Sequence, residues 1–159
     1  MAGILSKSWS TIRHPQDLSQ IGCRVRDTAD QSVANNTNTV ITFNTERYDT
    51  DGIHSTSVNT SRLTAQRAGK YLIFSNLRYA SNATGLRDNF IQLNGSTIIG
   101  YNRDQAVTSN VTILTTTIIY QLDVGDYVEC IARQSSGGAL NVETIGNYSP
   151  EFGMTLMQE

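Results

Sequence analysis

Residues 69–77, GKYLIFSNL, are the stretch of sequence that decides the fold. A glycine opens a long run of β-favouring residues that is apolar at nearly every position, which is typical of a strand buried on both faces. One face of such a strand covers the core of a small β sandwich. The other face needs a second cover, and another copy of the same chain supplies it most simply. The segment therefore predicts a sandwich that self-associates.

A second segment, IYQLDVGDYV at residues 119–128, predicts two strands joined by a tight turn, because Gly125 and Asp126 favour turn conformations. Asn94-Gly95 predicts a type I′ hairpin turn. No helix is predicted, and residues 31–38 are predicted to form a polar loop. Apolar runs bounded by turn residues predict strands near residues 22–27, 39–43, 52–58, 61–65, 70–79, 88–93, 97–101, 110–122, 126–133, 139–144 and 150–158.

Four motifs, in this order along the chain, resemble the jelly-roll superfamily of tumour necrosis factor and the globular head of complement component 1q. An early element, TVITF, resembles the superfamily's short second strand, and LTA before Gly69 resembles its F-T-A-P-x-x-G approach without the Pro. The G-x-Y-x-x-F strand and the L-x-x-G-D-x-V corner follow, and FGMTL stands where a closing F-x-G-x-x-L strand is found. The resemblance covers about residues 21–157 and favours a phage or bacterial member.

The resemblance implies an all-β, antiparallel jelly-roll sandwich that assembles as a threefold trimer, with one sheet of each subunit facing the axis. A generic antiparallel sandwich is the alternative. Side-chain alternation and the family pattern together place these residues in the trimer interface: Leu72, Phe74, Asn76, Arg78, Glu151, Thr155 and Met157. Glu151 departs from the family, which has an aromatic residue there. A buried carboxylate needs a partner, and Arg24, Arg26 and Arg78 are expected on the same face.

Composition limits the classes of partner. The formal net charge of −2 argues against electrostatic binding of nucleic acid. No apolar stretch exceeds strand length, so no membrane span is predicted. The first ten residues lack the apolar core of a secretory signal, which favours a bacterial or viral source over a secreted animal protein.

No group of residues predicts catalysis, so we expect no enzyme, no cofactor and no metal. His14 and His54 have no second ligand at metal-binding spacing, and no serine lies in a Gly-x-Ser-x-Gly motif. Residues 49–52, DTDG, resemble the start of a calcium loop but lack its later ligands, so a solvated turn is preferred.

The two cysteines, Cys23 and Cys130, alternate with apolar neighbours and are predicted to point into the sandwich as free thiols. In the resembled fold their strands share a sheet without being neighbours. Strands separated in this way exceed the Cα distance that a disulfide allows.

The chain divides into an N-terminal arm, residues 1–20, and a jelly-roll domain, residues 21–159. In the arm, Ile4, Leu5 and Trp9 lie among polar residues. A lone tryptophan is costly to leave in water, so these three residues are predicted to dock on their own domain, on a neighbouring subunit or on a partner. A disordered tail is the alternative.

These features favour a structural virion protein, a trimeric capsid decoration or a head or tail knob of a bacteriophage. Its arm attaches it to capsid or tail proteins, and it resides in the virion after assembly in the host cytoplasm. The first alternative is a receptor- or glycan-binding head of a phage fibre or bacterial surface protein. The second is a bacterial jelly-roll protein of another role, since a fold does not determine its ligand.

Overall fold

The computed structural model of the chain describes residues 20–159. Within these residues the chain forms twelve β-strands and no helix. The strands are β1 Gly22–Arg26, β2 Gln31–Val33, β3 Thr39–Val40, β4 Thr45–Asp49, β5 Arg62–Thr64, β6 Gly69–Tyr79, β7 Leu86–Leu93, β8 Thr97–Gln105, β9 Thr112–Leu122, β10 Tyr127–Gln134, β11 Leu140–Val142 and β12 Glu151–Gln158.

The strands form two antiparallel sheets, one of seven strands and one of five. In the seven-stranded sheet, β6 pairs with β9 along one edge and with β12 and β11 along the other. β1 and β4 extend this sheet beyond β12, and β2 pairs with β11. In the five-stranded sheet, β10 lies between β7 and the short strands β3 and β5, and β8 pairs with β7. This order, with β1 beside β12, is that of a jelly roll, and it confirms the predicted fold class.

The core lies between the two sheets. β6 contributes Tyr71, Ile73 and Leu77, which are fully buried, while the residues between them are only partly buried. The rings of Phe43 and Phe152 stack across the sandwich with centroids 5.7 Å apart. The strict alternation along β6 follows from its two different surroundings, the core on one face and the open side of the sheet on the other.

One polar contact is buried inside this core. The Ser75 hydroxyl of β6 donates a hydrogen bond of 2.8 Å to the Asn89 side-chain oxygen of β7, and the Asn89 amide donates to the Leu114 carbonyl at 3.1 Å. Because an unpaired buried polar group is costly, these bonds fix how the two sheets lie against each other.

Both predicted turns are present. Asn94 and Gly95 have φ angles of 49° and 67°, as a type I′ turn requires, and they join β7 to β8. At the β9–β10 corner Gly125 has a φ of 88°, and the Asp126 amide donates to the Asp123 carbonyl at 3.1 Å. Glycine is favoured at such positions because it lacks a Cβ.

The prediction was wrong in two places. Residues 52–58 form a loop, and the strand lies earlier, at Thr45–Asp49. The Asp49 carboxylate accepts hydrogen bonds from the amides of Asp51, Ile53 and His54, which turns the chain out of the sheet there. The predicted loop at 31–38 contains the short strand Gln31–Val33, in which only one residue is buried, so no alternation marked it.

Each cysteine is free and buried, as predicted, but they do not share a sheet. Cys23 lies in β1 of the seven-stranded sheet and Cys130 in β10 of the five-stranded sheet. The prediction of one sheet was wrong because β10 pairs with β7, whereas β1 pairs with β12. Burial raises the pKa of the Cys23 thiol, with Asp49 and Glu46 adding to the effect, and burial raises the pKa of Cys130 to about 12.

These thiols should therefore be inert in the folded protein, because the thiolate is the reacting form. Both cysteines should react with a thiol reagent at once in denaturant without prior reduction, and only slowly under native conditions at pH 8. Absorbance of the released chromophore measures both rates. A native rate close to the denatured one, or a disulfide-linked species on a non-reducing gel, would contradict this.

The sandwich has two distinct ends. At the first, which we call the terminal end, Gly69 pairs with Leu122, and the Thr50 hydroxyl donates to the Gln20 carbonyl at 3.1 Å. At the second, the loop end, Tyr79 pairs with Val142. There the fully buried Arg87 guanidinium donates to the carbonyls of Asn82, Thr84 and Leu86. The first and last described residues both lie at the terminal end.

Candidate functional site

The open side of the seven-stranded sheet, which we call the outer face, is the first candidate functional surface. Its middle row is formed by the β6 residues that point away from the core. Leu72 lies between Ile119 of β9 and Thr155 of β12, and Asn76 lies between Thr115 and Glu151. Directly opposed residues of an antiparallel pair share a face, so the three strands present one continuous surface.

The centre of the outer face is apolar. Phe74 lies against Gly153, where an added Cβ would be 2.5 Å from the phenyl ring, so only glycine lets the ring lie flat on β12. Around it, Ile113 and Ile119 of β9 are 48% and 58% exposed. Large exposed apolar side chains grouped in this way are typical of interaction surfaces.

The other half of the outer face is built around a buried carboxylate. Glu151 is 2% exposed, and each of its oxygens accepts from one guanidinium. Arg24 Nε donates to Oε2 at 2.6 Å, and Arg47 Nε donates to Oε1 at 2.5 Å. Arg24 and Arg47 also donate to the backbone carbonyl and the side-chain oxygen of Asn147, each at 3.3 Å. The carboxylate is therefore held by two cations and is not left unpaired in the sheet.

This arrangement corrects the expected partners of Glu151. Arg24 is a partner, as predicted, but Arg78 pairs with Glu143, and Arg26 makes no ion pair within residues 20–159. Arg47 was missed because its segment was not predicted to be a strand. A register shift between β1 and β4 beside Arg24 accompanies its position on the outer face.

The structure brings most of the predicted interface residues together on the outer face: Leu72, Phe74, Asn76, Arg78, Glu151 and Thr155. Met157 lies at a register irregularity between β12 and β6 and is 58% exposed. The predicted attachment residues Ile4, Leu5 and Trp9 lie outside the described residues. That these surfaces contact a partner stays a prediction.

A polar cleft of about 310 Å³ at the terminal end is the second candidate, and the sequence gave no signal for it. It lies among the β4–β5 loop, β5 and the β9–β10 corner, and Gly52, Val58, Arg62 and Tyr127 are among the residues that line it. In the part of the chain that the structure describes, no three histidine, cysteine or acidic residues are grouped as metal ligands. The DTDG segment forms the Asp49 turn described above.

No helix within residues 20–159 is long and apolar enough to cross a membrane. Comparison with models of protein families gave no match, and comparison with curated protein sequences gave none. Comparison with solved structures did give matches, and they cover most of the described domain.

Three of these structures are similar to the chain over nearly their whole length. Murine APRIL at pH 5.0 has a TM-score of 0.66 at 10% identity and covers 87% of this chain and 99% of its own. Eiger TNF from S. frugiperda has a TM-score of 0.63 at 9% identity, covering 88% and 94%. The globular domain of zebrafish complement 1qA protein has a TM-score of 0.62 at 12% identity, covering 87% and 98%. The chain thus has the jelly-roll fold shared by tumour necrosis factor and complement 1q domains.

Proposed function

We propose that this chain is a homotrimeric, non-enzymatic structural protein of a bacteriophage virion, a capsid decoration or a knob on the head or tail. The outer face around Leu72, Phe74 and Ile119 is the observation that carries the trimer. It is apolar and partly exposed in the single chain, and two further copies would cover it. An interface of this kind buries on the order of 2,000 Å² or more when it is obligate.

The Glu151 network supports a specific arrangement of the subunits. An entirely apolar face allows neighbouring sheets to slide, whereas buried charged groups must meet matched partners. Arg24 and Arg47 keep 37% and 23% of their side-chain surface exposed. These exposed parts are free to bind polar groups of a neighbouring subunit and so to fix the angle between subunits.

Attachment is assigned to the arm. The apolar residues Ile4, Leu5 and Trp9 are clustered there in an otherwise polar segment. Tryptophan anchors often dominate the energy of an interface, and three arms on one trimer would bind multivalently, which turns weak single contacts into tight attachment. The arm leaves from the terminal end, where Gln20 contacts Thr50, so the loop end would point away from the particle.

Deletion of residues 1–20 tests this function. The truncated chain should remain a folded trimer that no longer joins particles assembled without the protein. Trp9→Ala should weaken joining by tenfold or more, because truncating an anchor costs about 2 kcal/mol. Val124→Ala, at a 68% exposed apolar residue of the β9–β10 corner, is the control and should join normally.

Co-sedimentation of the purified protein with the particles measures the joining. If the truncated trimer still joins particles, the attachment surface lies on the jelly roll and the receptor- or glycan-binding alternative is favoured. If the full chain fails to join any phage particle, the virion role is wrong.

A further inference from the structure

The cleft at the terminal end has walls that are fixed in place before any ligand binds. Residues 52–60 form no regular strand, yet both ends of the loop are fastened. Asp49 accepts three backbone hydrogen bonds at its start. The fully buried His54 ring contacts Glu46 Oε1 at 3.0 Å and the Thr60 carbonyl at 3.1 Å. A loop held in this way loses little conformational entropy on binding, which favours affinity.

Arg62 supplies the charged group of the cleft, and its orientation is set by two neighbours. Its guanidinium lies 4.0 Å from the centre of the Tyr127 ring, a cation–π contact. Its Nε faces Glu129 Oε1 at 3.3 Å, and the Ser61 hydroxyl donates to that same oxygen at 2.7 Å. Neither Nη nitrogen of Arg62 makes a hydrogen bond within residues 20–159, and the side chain is 36% exposed. Two parallel donors are therefore available to a carboxylate.

The rest of the lining is neutral and mixed. Gln66 Nε2 donates to the Gly52 carbonyl at 3.0 Å, which fixes the side chain and leaves its oxygen as an acceptor. Val58, which is 65% exposed, adds an apolar surface. Because Glu129 offsets the charge of Arg62, the cleft does not favour a multiply charged anion. Hydrogen-bonding groups beside apolar surface match a hydroxylated ring with one carboxylate.

We propose that this cleft binds an acidic monosaccharide unit, with the sugar carboxylate on the Nη nitrogens of Arg62 and the sugar ring against Val58. Such a ligand has the size of the cleft, and a carboxylated sugar uses both the charged donors and the neutral acceptor. The proposal adds a ligand-binding activity to the chain and does not depend on the virion role or on the trimer.

Titration of ¹⁵N-labelled full-length protein with sodium N-acetylneuraminate and with sodium glucuronate, followed by NMR, tests the proposal. At least one of the two should shift the amide signals of Val58 and Gly125 saturably, and neutral glucose should bind at least tenfold more weakly. Arg62→Gln should weaken binding by about tenfold or more, since hydrogen bonds to charged groups are among the strongest in proteins. Gln66→Ala, at an exposed residue, should weaken it less.

Arg67→Gln is the matched control. Arg67 lies at the same end of the sandwich and pairs with Asp51 and Glu159, and it should bind the acidic sugar as the unchanged protein does. Equal binding by acetate would overturn the assignment to a sugar. Binding that Arg62→Gln leaves unchanged, or no saturable shift with either acidic sugar, would overturn the site itself. If Arg62→Gln does not fold, the Gln66→Ala titration and the comparison with glucose and acetate still decide.

Discussion

Replacing Ile119 by aspartate should convert the proposed trimer into folded monomers. Ile119 is 58% exposed in the single chain, so the carboxylate remains in water there and costs the fold little. In a trimer closed on the outer face, the same carboxylate would be buried beside Leu72 without a partner. Burying an unpaired charge costs several kcal/mol, and a trimer contains three copies. Light scattering at micromolar concentration measures the change in mass.

Val40→Asp is the control for Ile119→Asp. Val40 is also a β-branched residue and is 42% exposed, but it lies on β3 of the five-stranded sheet, so its substitution should leave the trimer intact. Phe74→Asp should also release monomers or prevent folding, although Phe74 packs on Gly153 within the chain and its loss affects the fold as well. A trimer of unchanged mass in Ile119→Asp, or an unchanged protein that is a folded monomer, would refute the outer face as the interface.

Glu151→Gln should be the most destabilising change of a single charge in the domain. A neutral amide leaves Arg24 and Arg47 facing each other across the site without a counter-charge. Breaking a buried ion pair costs about 3–5 kcal/mol, and the partial exposure of both arginines, 37% and 23%, places the expected loss toward the lower end. Urea unfolding at one fixed protein concentration measures it, because the stability of an oligomer depends on concentration.

Glu159→Gln is the same substitution at an exposed ion pair. Glu159 and its partner Arg67 keep 61% and 51% of their side-chain surface exposed, so its loss should cost under about 1 kcal/mol. Adding Arg47→Gln to Glu151→Gln should restore part of the stability, since one unpaired cation is removed. If Glu151→Gln costs no more than Glu159→Gln, the buried network does not hold the sheet.

The parts of the fold that the sequence predicted are those with a local physical signal. The alternation in β6 marked both faces of the central strand, and Asn94-Gly95 marked the hairpin. β4 was missed because its residues, TERYD, include no run of apolar side chains. The β1–β4 pairing is set instead by contacts between distant residues, including those of Glu151 with Arg47.

The candidate sites show the same limit. The outer-face residues followed from periodicity together with the family resemblance. The cleft joins segments from three parts of the chain, at Gly52, Arg62 and Tyr127. No spacing in the sequence places these together, and the segment 52–58 had been predicted to be a strand. Only the Asp49 turn, which folds that segment into a loop, creates the cleft.

The separation of the two ends of the sandwich makes the domain a natural carrier for foreign peptides. At ~3.3 Å per residue, the eleven residues of β6 separate the ends by about 33 Å. Gly137 and Gly138 lie in the β10–β11 loop at the loop end, and an added side chain there meets open space. A peptide grafted between them would project away from an affinity tag fused after Glu159. An array of such subunits would therefore present its cargo outward in a uniform orientation.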